Sequence, residues 1–69
     1  MKGKEFIKRA KQWGRANGIG ITVEPSRGKG GHQTVRRADG PYTVVKTGEI
    51  GKGLLDAMLK QIEIPKKDF

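Results

Sequence analysis

The sequence predicts an α+β fold in the order α-β-β-β-α, with both helices on one face of an antiparallel three-stranded sheet. Three observations lead there. Apolar residues recur at helical spacing near the start of the chain and again in its last third. Between them lie short alternating runs, two of which flank an Asp39–Gly40 pair, a strong hairpin signal. The connections are short, whereas parallel strands need crossovers of a dozen or more residues.

Residues 3 to 17 read as the first helix. Phe6, Ala10, Trp13 and Asn17 follow one face with Ile7 beside it, and Lys8, Arg9, Lys11, Gln12 and Arg15 fill the rest. Gly18 is placed to end the helix in the left-handed conformation. The run "IGITV", residues 19 to 23, alternates as a half-buried strand does, and Pro25 ends that strand or lies at its edge.

The second and third strands lie in "HQTVRRADGPYTVVKTG". A two-residue turn at Asp39–Gly40 pairs Arg37 with Tyr42, Val35 with Val44 and Gln33 with Lys46 on a core-facing side. It pairs Arg36 with Thr43, Thr34 with Val45 and His32 with Thr47 on the outer side. A three-residue loop would flip the faces of the last strand. The placement of His32 opposite Val35 needs only the alternation of its own strand, so it survives either loop. The second helix runs from Lys52 or Gly53 to Ile62 on a stripe of Leu54, Leu55, Met58, Leu59 and Ile62. Asp56 near its start suits the helix dipole, Pro65 stops it, and "KKDF" reads as a tail.

At 69 residues this is one small domain, which buries only about 60% of its extended surface. Without cysteine it has neither disulfides nor a Cys-based zinc site, in keeping with a reducing, cytoplasmic setting. No run approaches the roughly 18 apolar residues of a membrane span, and the charged start is unlike a signal peptide. The net charge of +8 is unevenly placed. Residues 1 to 48 hold 11 Lys and Arg against three acids, 11 − 3 = +8, and residues 49 to 69 hold four of each and sum to zero. Solubility alone would explain a basic chain, but charge placed this way favours an anionic partner, nucleic acid above all, bound in a salt-dependent manner.

The densest chemistry is in "RGKGGHQTVRR", residues 27 to 37, which holds the only histidine and no acid. Gly30 and Gly31 let backbone N–H groups approach an anion, and Arg27, Lys29, Arg36 and Arg37 supply cations. The glycines are not spaced as in a nucleotide-binding loop and serve equally as a turn. An imidazole titrates near neutrality, so His32 among phosphate-binding cations is what RNA cleavage requires: a group to deprotonate the 2′-hydroxyl or protonate the leaving oxygen. Lys29 and Glu24 are the possible proton partners. No acidic cluster indicates a metal, and no cofactor is expected.

"GKGGH" before a strand, then a hairpin, then "TVVKTGEIGKGLLDAMLKQIEI" and "KKDF" together resemble the HicA toxins of bacterial type II toxin–antitoxin pairs over nearly the whole chain. The resemblance implies a double-stranded-RNA-binding-domain-like fold and a metal-independent mRNA interferase. It also implies His32 as the catalytic residue and a HicB-type antitoxin that covers the site. Gly31 stands where the family commonly has serine, so a hydroxyl available to phosphate is missing. Two other functions fit the composition: a non-catalytic RNA- or DNA-binding domain using the same basic face, which does not need His32, and an interaction module for an acidic protein, which would not bind RNA. With no large apolar patch evident, the free chain is expected to be a monomer.

Overall fold

The computed structural model describes residues 1–25 and 31–69. The order is α1 (Gly3–Asn17), β1 (Ile21–Pro25), β2 (His32–Arg37), β3 (Tyr42–Lys46) and α2 (Lys52–Ile62), followed by a 3₁₀ turn at Lys66–Asp68. The sheet is antiparallel in the order β1-β2-β3, and both helices pack on one of its faces. Phe6, Ala10 and Trp13 of α1 meet Val35 and Val45 of the sheet and Met58, Leu59 and Ile62 of α2. Each large apolar side chain removed from water in this way contributes about 1.5–3 kcal/mol. No helix among the described residues is long and apolar enough to cross a membrane.

Both helices occupy the expected segments. Gly18 closes α1 with φ 67°, its N–H bonded to the Gly14 carbonyl. The first strand begins and ends two residues later than the alternation indicated, and Pro25 is its last residue, where an edge strand tolerates a missing donor.

The hairpin is displaced by one residue from the two-residue turn. Arg36 pairs with Tyr42, Val35 with Thr43, Thr34 with Val44, Gln33 with Val45 and His32 with Lys46. Pro41 explains the shift. A two-residue turn would set Ala38 against Pro41 and ask Pro41 for an N–H it does not have. Instead the Arg37 N–H donates to the Pro41 carbonyl at 2.8 Å and the Gly40 N–H donates to the Arg37 carbonyl at 3.0 Å, which encloses Ala38, Asp39 and Gly40. Gly40 takes φ 124° there, a value that favours glycine. The slip turns Thr43 and Val45 into the core and puts Tyr42 and Val44 outside.

Three further expectations change. Leu54 is about half exposed, at the rim of the α2 stripe. Asp56 lies beyond the first turn of α2 and pairs with Lys66 at 3.0 Å. The "KKDF" tail forms a 3₁₀ turn with Lys66, Lys67 and Asp68 exposed, and it returns Phe69 to the core, its ring 4.9 Å from that of Phe6.

Candidate functional site

The face of the sheet away from the helices carries His32, Thr34 and Arg36 from β2, Lys46, Val44 and Tyr42 from β3, and Thr22 and Glu24 from β1. This follows from the register and from the burial of Val35, Thr43 and Val45 on the opposite side. His32 therefore lies on the outer face, as its own strand's alternation predicts.

Gly31 introduces the strand. Its φ of 85° is one that side chains rarely adopt, and a Cβ there would lie 2.7 Å from Thr47 Oγ1. The Gly31 carbonyl accepts the Thr47 N–H at 2.6 Å, so β2 and β3 are still bonded at the point where His32 enters the sheet. Glycine here is a requirement of the backbone in this chain, and a serine would be strained.

His32 is half-buried. Its Nδ1 is enclosed and has no hydrogen-bond partner among the described residues. Lys46, directly across on β3 and exposed, is a neighbour that sequence reasoning missed. The assumed two-residue turn had put Thr47 opposite His32 instead. Cβ atoms of such a cross-strand pair sit about 4.5–5.5 Å apart, within easy reach for a lysine.

Arg36 lies four residues along the same face, about 13 Å from His32 at about 3.3 Å per residue. Its guanidinium covers the Tyr42 ring at 4.7 Å, and its Nε is 3.7 Å from Glu24 Oε1. Glu24, directly across from Thr34, shares the face with His32, but the ion pair it makes is with Arg36.

Arg37 points the other way and is fully engaged. It donates to Asp39 through Nε at 2.9 Å and Nη2 at 2.7 Å, and through Nη1 to the carbonyls of Ile62 at 3.1 Å and Glu63 at 2.6 Å. Its guanidinium also stacks 5.1 Å from the Trp13 ring. It joins the hairpin turn to the end of α2, and the phosphate-binding role counted for it in the sequence does not apply. The guanidinium bond holds the Asp39 carboxyl below its ordinary value.

Arg27, Lys29 and Gly30, read in the sequence as phosphate-binding residues, lie outside the described residues. Among the described residues no group of three or more His, Cys, Asp or Glu side chains is arranged to hold a metal ion. No family model, curated protein or solved structure matches the chain.

Proposed function

We propose that the chain is a HicA-type toxin: an endoribonuclease that cleaves mRNA in the cytoplasm at the His32 end of its outer sheet face and is neutralised by a HicB-type antitoxin. The observation that carries this is His32 itself, the only histidine, set on the outer face directly opposite Lys46. With Nδ1 enclosed, Nε2 is the nitrogen left to meet a substrate.

In this reading Nε2 takes the proton of a 2′-hydroxyl. The freed oxygen attacks the adjacent phosphorus, the bond to the 5′-oxygen breaks, and that oxygen leaves with a proton from Lys29 or solvent. Lys46, with Arg27 and Lys29, holds the phosphate and offsets the charge that develops on it, while Arg36, farther along the face, meets the RNA chain at a neighbouring nucleotide. Glu24 fits the proton-partner role less well because its carboxylate pairs with Arg36. The antitoxin carries acidic residues against the same cations, so the complex weakens with salt.

One observation favours a binding-only domain on the same face. Among the described residues no side chain is hydrogen-bonded to Nδ1 to orient the ring, as a catalytic histidine usually requires. Expression in bacteria separates the two readings. The toxin arrests growth, the His32→Ala chain accumulates without arrest, and it still binds RNA. Arrest by both chains would leave only the binding reading.

A further inference from the structure

Among the described residues Tyr42, Val44 and Leu54 are the exposed large apolar side chains, at 52%, 46% and 49% of full exposure. They line one groove of about 680 Å³ at the β3 edge of the sheet, together with Thr43, Met58 and Gln61. Tyr42 puts it at the hairpin end of the sheet, away from His32. Thr43 Oγ1 donates to Gln61 Oε1 at 2.7 Å, which braces the strand against the helix there. The Tyr42 ring is overlaid by the Arg36 guanidinium at 4.7 Å.

An exposed aromatic ring, a guanidinium stacked on it and a second cation, Lys46, two pleats along the same strand form the arrangement that binds unpaired nucleotides. Cations track the phosphates while bases stack on the π-faces. A duplex cannot use it, because its bases are already stacked on one another and an A-form major groove is too narrow for side chains to read. An apolar groove with no charge beside it would instead suit another protein or a second copy of this chain. Here Arg36 sits directly on the ring, and its acidic neighbour, Glu24, is 3.7 Å away.

We infer that Tyr42, with Arg36 stacked on it, is a nucleobase-binding subsite that makes the outer sheet face select single-stranded RNA. It holds a base about 13 Å along the face from the phosphate at His32, by the rise of about 3.3 Å per residue. The inference rests on the reading of this face as an RNA site. It adds to that reading the strandedness of the substrate and a residue that determines it.

The test uses the His32→Ala chain, which cannot cleave, and measures binding to a labelled eight-nucleotide RNA alone and annealed to its complement. The single strand binds at least tenfold more tightly than the duplex. Tyr42→Ala in that background weakens single-strand binding about tenfold, the range for loss of one stacked base, and Tyr42→Phe restores it. The slope of log affinity against log salt stays unchanged in Tyr42→Ala, because no phosphate contact is lost, but falls by about 1 in Lys46→Ala. Equal binding of Tyr42→Ala and Tyr42→Phe, or an equal loss for single strand and duplex, overturns the subsite while Lys46-dependent binding keeps the RNA reading. If the His32→Ala chain binds neither RNA, both fall. If Tyr42→Ala converts a dimer to a monomer in sedimentation without changing RNA affinity, the groove belongs to a second copy.

Discussion

His32 and Lys46 stand directly opposite each other across the β2–β3 pair, on the face of the sheet that the helices leave open. This cross-strand pair places the only imidazole of the chain beside an exposed ammonium. Replacing Lys46 with Ala is expected to slow RNA cleavage by at least tenfold and to leave thermal stability within about 0.5 kcal/mol, as for other exposed side chains. Lys46→Arg keeps the positive charge and most of the activity. Cleavage rates for the two variants, with melting temperatures alongside, check this.

Arg37 has a structural role that its position in a basic run conceals. Arg37→Ala removes its bonds to Asp39 and to the carbonyls of Ile62 and Glu63, and its contact with Trp13. The bonds from this largely buried guanidinium to the two carbonyls contribute about 1.5–3 kcal/mol each and are not additive, so a loss of about 2–3 kcal/mol is expected. Urea denaturation measures it. The salt slope of RNA binding should not move, because Arg37 does not face the outer surface.

Asp39 makes the hairpin turn sensitive to acid. Its folded-state value lies below the ordinary 3.8 because Arg37 donates to the carboxylate. The folded state therefore binds this proton less readily than the unfolded state. The stabilisation is fully present above the unfolded value and is lost as pH falls through the folded one. Thermal melts from pH 6 to pH 2 should show a steeper decline for the native chain than for Asp39→Asn. Parallel curves would show that the pair adds nothing.

Gly31→Ser installs the residue more common in the resembled family and is expected to harm this chain. The residue would have to hold φ 85° with its Cβ 2.7 Å from Thr47 Oγ1. Strain of this kind costs on the order of 1–3 kcal/mol. A drop in melting temperature with no gain in cleavage rate is the expected result.

Both helices were legible in the sequence because their signals are local: an apolar period for each, a glycine just past α1, and a proline beyond α2. The last strand was not, because its faces depend on the loop before it. Pro41 was the available clue, since a residue without an N–H cannot close a two-residue turn against Ala38. Reading it correctly would have turned Val45 inward, left Tyr42 and Val44 outside, and brought Lys46 to His32. Ile50 and Ile64 are buried but lie singly outside any periodic run, so no pattern marked them. The role of Arg37 depends on where the end of α2 arrives, which is a tertiary fact. The outward placement of His32 needed only its own strand and was correct.

The measurement that bears most directly on the account is incubation of the purified chain and its His32→Ala variant with a single-stranded RNA in EDTA. Both folded states are verified by circular dichroism. The account predicts cleavage by the native chain, products ending in a 2′,3′-cyclic phosphate, and no cleavage by the variant, which retains most of its RNA affinity. Equal cleavage by the two chains, or none by the native chain under conditions where it binds RNA, would contradict it.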